Sequence, residues 1–267
     1  MKILVIGGGN MGQTYAKSFL HAHIVNKEQL IILEKSEEKA VLLNQLNIGS
    51  VQGAPGPYIK DADLIILAVK PQDLSTLLPS IRQYIDSQQL VLSIMAGITI
   101  DSIQEQLGIL KVIRAMPNLP AQIGIGMTVF TSSKEVTRIE LVTVQNLLNA
   151  TGKTIYVEAE QAIDASTAIS GSGPAYVFYF MQSMINAAIE RGFNQSQAEL
   201  LTYQTFQGAV DLFKKYEFSC EDWIKKVASR GGTTEAALKS FSANDVTGNI
   251  QEGISAAHIR AQELSKL

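Results

Sequence analysis

The chain has 267 residues, 46% of them hydrophobic and 18% charged, a globular composition with length enough to bury a core in one large domain or two ordinary ones. A net charge of −3 disfavours nucleic acid and anionic lipid as partners, since both need clustered Lys and Arg, and no apolar run reaches the length of a membrane span. A single cysteine, Cys220, excludes an intramolecular disulfide, and His21, His23 and His258 lack the companions of a metal site, so no metal is expected.

Met1 leads directly through the apolar run 3–6 into glycines, too soon for the core and cleavage site of a signal peptide, so the expected address is the cytoplasm. Further β-rich runs at 30–33, 64–69, 90–94 and 112–114 alternate with helical spacing at 11–20, 37–46 and 74–84. That alternation predicts an α/β fold with a doubly wound parallel sheet. Runs at 127–131 and 154–157, placed around a helix over about 134–148, extend the same sheet. Beyond Glu158 strand signals nearly vanish, and helical spacing continues over 162–191 (interrupted at 171–174), 195–216, 220–229, 234–241 and 246–264. Two domains follow, 1–158 for a dinucleotide and 159–267 all-helical. The stretch around Tyr176, Val177, Phe178, Tyr179, Phe180, Met181 and Met184 is more apolar than one packed face requires, as in helices that pack against another subunit.

Gly7-Gly8-Gly9-Asn10-Met11-Gly12 is a G-x-G-x-x-G between a strand and a helix. In that setting Gly7 permits the tight turn, Gly9 lets a pyrophosphate approach the backbone, and Gly12 lets helix and strand pack closely. The phosphates belong at the helix N-terminus, beside Asn10 and Met11. The adenosine end falls to Glu34-Lys35-Ser36, about 20 residues further on. A carboxylate at Glu34 accepts both ribose hydroxyls and repels a 2′-phosphate, which favours NADH, whereas Lys35 and Ser36 are groups able to hold that phosphate. Ala68-Val69-Lys70-Pro71 and the Ala96-Gly97 pair end strands at the carboxyl edge of the sheet, where open α/β sheets bind ligands. In Arg114-Ala115-Met116-Pro117-Asn118-Leu119-Pro120, two prolines fix the backbone around Asn118, which either orients a nicotinamide or makes an Asx turn. Two small-residue segments, Ser170-Gly171-Ser172-Gly173-Pro174 and Ser229-Arg230-Gly231-Gly232-Thr233-Thr234, stand at expected helix starts. Their free amides suit a small carboxylic acid, or their hydroxyls are ordinary caps.

The set GGGNMG, AVKP, RAMPNLP, SGSGPAYVF and SRGGTTEAAL, in this order over nearly the whole chain, resembles the pyrroline-5-carboxylate reductases. The resemblance implies a Rossmann-type domain followed by a helical dimerisation domain that interlocks with a second subunit, giving a homodimer or larger homo-oligomer. It implies hydride transfer from NAD(P)H to the cyclic imine of 1-pyrroline-5-carboxylate, giving L-proline. It also implies a substrate site at Ser172, Gly173, Ser229, Gly231, Gly232, Thr233 and Thr234, with the Thr234 hydroxyl at the ring nitrogen and the amides around Gly231 and Gly232 on the carboxylate. The chain departs from the family at Arg230, where proline is usual, at Lys226, where asparagine is common, at Leu119, where threonine is common, and at Glu34, where Asn, Ser or Thr is frequent. Competing readings are a dehydrogenase or reductase of another small hydroxy or imino acid, the former needing a general base among the helices, and a dinucleotide sensor without turnover.

Overall fold

The computed structural model describes residues 1–265. In chain order its first part comprises β1 (Ile3–Ile6), α1 (Asn10–His21), β2 (Leu30–Leu33), α2 (Glu37–Leu46), β3 (Ser50–Gln52), β4 (Leu64–Leu67), α3 (Leu74–Arg82), β5 (Leu90–Ser93), α4 (Ile100–Leu107), β6 (Lys111–Met116), β7 (Gly126–Ser132), α5 (Arg138–Asn149), β8 (Gly152–Tyr156) and α6 (Gln161–Ser166). The strands form one sheet in the order β3-β2-β1-β4-β5-β6-β7-β8. The chain winds outward from β1 to β3 and returns to pair β4 on the other side of β1, so the crevice at the carboxyl ends of β1 and β4 is a topological switch point.

The central strands are continuous apolar runs because both faces are covered. Ile3 and Val5 point to one core with Tyr15, Phe19, Leu43 and Leu147, while Leu4 and Ile6 point to the other with Leu74, Leu78, Ile103 and Leu107. The expected strands and helices are present, with shifted ends. Lys70 and Pro71 carry the chain out of the sheet into a single 3-10 turn, Pro71–Asp73, so β4 stops at Leu67. Thr137 and Glu140 form a reciprocal capping box that delays α5 to Arg138. β3 and α4 were not expected from the sequence. β7 runs antiparallel to β6, because the connection 117–125 is too short for a parallel crossover.

Two compact units emerge, Met1–Pro174 joined by the chain from Ala257, and Ala175–Ala256. The sheet ends before Glu158, yet α6 and the π-helical turn Thr167–Gly171 stay with the first unit. Arg114 explains this. Its buried guanidinium on β6 pairs with Glu160 Oε1 at 2.9 Å and Asp164 Oδ1 at 2.6 Å. Glu160 Oε1 also accepts the Ile100 amide, and Asp164 Oδ1 the Ser265 hydroxyl. The second unit contains most of α7 (Gly173–Glu190) and all of α8 (Gln195–Lys215), α9 (Cys220–Val227) and α10 (Thr233–Ala243). It also holds the first part of α11 (Val246–Leu264). Capping boxes at Asn194 and Ser219 start α8 and α9.

Candidate active site

The glycine loop is shaped by close backbone approaches. Gly7 adopts φ +104°, and a Cβ there would lie 2.6 Å from the Ala68 carbonyl oxygen. A Cβ on Gly12 would overlap the Gly7 carbonyl oxygen. Gly9 differs, since nothing lies within 4 Å of the place its Cβ would take. It is also the N-cap of α1, which has no side-chain cap and no acidic residue in its first turn. By contrast α2 begins with a Ser36 cap followed by Glu37 and Glu38. The amides at the head of α1 therefore meet open space with the helix dipole behind them, which fits a pyrophosphate.

Beside this cradle lies a cavity of about 410 Å³ whose lining includes Gly7, Gly9, Glu34, Lys35, Ala68, Val69 and Lys70, together with Lys39, Gly53, Pro55, Asp73, Thr76 and Ser80. Residues from three of the predicted segments thus share one pocket at the switch point. Glu34, only 7% exposed, accepts the Gly8 amide through Oε2 at 3.0 Å and the Ser36 amide through Oε1 at 2.9 Å. The carboxylate is thereby fixed between the glycine loop and the start of α2. Lys35 Nζ donates to Asp73 Oδ1 at 2.6 Å; hydrogen bonding and charge from Asp73, with a smaller effect of Glu34, raise the pKa of the ammonium. Ser36 Oγ accepts the Lys39 amide as the cap of α2.

The remaining predicted cofactor residues stand apart from this cavity. Pro71 heads the 3-10 turn that carries Asp73. At Gly97, φ +72°, the position of an added Cβ is filled by Leu264 at the end of α11. Ala96 precedes it, half-buried. Asn118 makes no Asx turn: its Oδ1 accepts the Met127 amide at 2.9 Å, and its Nδ2 donates to the Ser170 carbonyl at 3.0 Å. It ties the loop after β6 to β7 and to the π-helical turn. Sequence reasoning missed Asp73 and the buried Arg114 cluster, whose partners are distant in the chain.

The two small-residue segments differ from expectation. Ser170–Pro174 is no free loop, because Ser172 donates its amide to the Thr167 carbonyl in the π-helical turn and Gly173 begins α7 at once. In the other segment, Gly231 has φ +72° and α10 starts at Thr233 with Gly232 as its N-cap and no side-chain cap, so ordinary Ser/Thr capping does not account for it. The Gly231 amide is held by the Glu235 carboxylate, and the Gly232 amide donates to the Ser229 carbonyl at 3.0 Å. Glu235 has a lowered pKa, chiefly from that Gly231 amide and then from Lys239. The amides expected on a carboxylate are thus already engaged, and the open donors belong to the first turn of α10, at Thr233 and Thr234. Lys226 lies over the Phe218 ring, 4.4 Å from its centroid, and Arg230 is exposed.

Comparison with known proteins extends this geometry. Residues 160–264 match the family described as pyrroline-5-carboxylate reductase dimerisation, and residues 2–97 match one described as NADP oxidoreductase, coenzyme F420-dependent. A pyrroline-5-carboxylate reductase of Aquifex aeolicus is 32% identical over 99% of this chain and 97% of its own length. Pyrroline-5-carboxylate reductase 2 of Bacillus subtilis is 36% identical over 90% of this chain and 86% of its own. The crystal structure of Plasmodium falciparum pyrroline carboxylate reductase with NADP bound superposes with a TM-score of 0.90 at 28% identity, covering 99% of this chain and 98% of that one. On whole-length similarity, this chain belongs to the pyrroline-5-carboxylate reductase family.

Proposed function

We propose that this oxidoreductase of proline biosynthesis reduces the cyclic imine of 1-pyrroline-5-carboxylate to L-proline with a nicotinamide dinucleotide. The observation that carries the reading is the uncapped head of α1, open at Gly9 and flanked by the cavity at the switch point, in a chain related to these reductases over its whole length. The backbone at Gly9, Asn10 and Met11 holds the pyrophosphate, Gly7 gives the tight turn and Gly12 the close packing of α1 on β1 that shape this cradle, and Glu34 to Ser36 meet the adenosine ribose. Ala68 to Pro71, Ala96, Gly97 and Asn118 flank or brace the remainder. When bound, the cofactor supplies the hydride that the imine carbon accepts.

The chain's own task is to position the substrate and keep the imine protonated. Thr234 holds that proton, its hydroxyl hydrogen-bonded at the ring nitrogen. The substrate carboxylate falls to the amides of Thr233 and Thr234 at the head of α10, where the helix dipole adds attraction. Gly231, Gly232 and Ser229 set the turn before α10, and Ser172 and Gly173 complete the substrate residues. NADH is the preferred form; in support, the Glu34 carboxylate is fixed by two amides in the cavity wall, where it repels a 2′-phosphate. The protein works in the cytoplasm as a homodimer or larger homo-oligomer.

The test is oxidation of NADH and NADPH in parallel by purified protein, with pyrroline-5-carboxylate supplied and omitted. Substrate-dependent oxidation, faster with NADH, is expected, and Thr234→Ala lowers turnover while leaving dinucleotide binding unchanged. Binding of dinucleotide without substrate-dependent oxidation overturns this reading in favour of another imine substrate or of a sensor.

A further inference from the structure

Five charged side chains line the cavity beside the glycine loop, Glu34, Lys35, Lys39, Lys70 and Asp73. One pair among them is closed. Lys35 Nζ meets Asp73 Oδ1 at 2.6 Å, joining the loop after β2 to the turn after β4 across β1, which pairs with both strands. With Lys35 75% exposed, such a pair adds little stability, so its consequence lies in where it holds the ammonium. Asp73 is the fixed member. Its amide donates to the Lys70 carbonyl, its carbonyl accepts the Thr76 hydroxyl, and Pro71 restrains the start of its turn. Lys35, on a flexible four-carbon stem, is the movable member.

We propose that Asp73 is a cofactor-selectivity residue that acts through Lys35. By holding the ammonium in an ion pair, it withholds from a 2′-phosphate the cation nearest in sequence to Glu34. The inference rests on reading this cavity as the adenosine end of the dinucleotide site. Removing the Asp73 charge frees Lys35 to join Lys39 and Lys70 of the same cavity wall, an arrangement suited to a dianion.

Calorimetry with 2′,5′-ADP and with 5′-AMP separates the 2′-phosphate from the rest of the ligand, using the full-length protein, Asp73→Asn, Lys35→Gln and the double variant. Asp73→Asn is expected to tighten 2′,5′-ADP by about five- to tenfold at low salt, with a smaller gain as salt screens it, and to leave 5′-AMP unchanged. Lys35→Gln in the same chain abolishes the gain. The NADPH to NADH ratio of kcat/KM rises in Asp73→Asn in parallel. Unchanged 2′,5′-ADP binding in Asp73→Asn, or a gain that survives Lys35→Gln, overturns the inference and leaves the dinucleotide site standing. Failure of wild-type protein to bind either nucleotide overturns the site, and the inference with it.

Discussion

Two glycines of one motif do different things, and substitution separates them. At Gly12 an added Cβ has nowhere to go, because it overlaps the Gly7 carbonyl oxygen where α1 packs on β1. At Gly9 the same atom meets nothing within 4 Å, and the backbone is ordinary extended conformation. Gly12→Ala is therefore expected to lower the melting temperature and dinucleotide affinity together, whereas Gly9→Val keeps the melting temperature and loses the dinucleotide. Equal loss of stability in both would remove the distinction between packing and ligand approach. Tyr15, three residues beyond Gly12 on the buried side of α1, makes a second residue-scale case. Burial pushes its hydroxyl up to about 12, against smaller opposing effects of Thr128 and Thr151. The unfolded chain then ionises first, near 10, so the contribution is complete below pH 10 and is lost as pH rises toward 12. The loss is about 2 to 3 kcal/mol. Denaturant unfolding at pH 9 and pH 11.5 should show that loss in the wild type and a smaller one in Tyr15→Phe, where Tyr58, also raised to about 12, still contributes with the same sign.

Among the elements, β6 has the most to hold. Its Arg114 is 1% exposed and reaches Glu160 just before α6, Asp164 within it, and through these the head of α4 and the end of α11. A buried cation shared by two carboxylates is costly to desolvate, and removing it strands charge that was paired with it. Arg114→Met should cost about 3 to 5 kcal/mol in denaturant unfolding, and Arg114→Lys should recover only part, because a single ammonium lacks the planar fork that spans both partners. Loss below 1 kcal/mol in Arg114→Met would show the cluster to be replaceable by apolar packing. None of this was visible along the chain, since the partners lie 46 and 50 residues away. The same holds for Asn118, whose amide meets Met127 and Ser170, and for the Lys35 to Asp73 pair. The central strands were legible because burial on both faces writes unbroken apolar runs such as Leu30–Leu33. The edge strand β3 offers only Val51 between Ser50 and Gln52, too little for a pattern. Ile100, Ile103 and Leu107 behind a Thr99 cap do carry the spacing of a helix, and Gly108 its stop signal, so α4 was readable and was missed. The glycine loop was legible because its constraints are on the backbone itself, where residue type alone decides.

At the scale of the whole molecule, the second compact unit poses the sharpest question of stability. Within Ala175–Ala256 only Ala198 and Thr202 are buried, far short of the core a unit of this size needs to stand by itself. Large apolar side chains are exposed along α7 and α8, among them Phe178, Tyr179, Leu200, Leu201 and Phe213. Tyr179 and Phe180 of α7 also line an apolar groove of about 380 Å³ with Val246, Ile250 and Ile254 of α11. Exposure on this scale is unfavourable for a monomer in water and is the mark of surface covered by another chain. The match of residues 160–264 to a dimerisation family points to a second copy as the cover, with helices of one copy supplying the core the other lacks. Sedimentation of the purified protein is accordingly expected to give a dimer or a larger assembly at micromolar concentration. Tyr179→Glu, which puts a charge on the most exposed of the α7 aromatics, should yield smaller species with reduced helical circular dichroism and little turnover. Dinucleotide binding should persist, because the glycine loop and its cavity belong wholly to the other unit. A wild-type protein that sediments as a monomer while keeping its full helix content would mean that these helices are stable without a partner, and the argument from their missing core would fail.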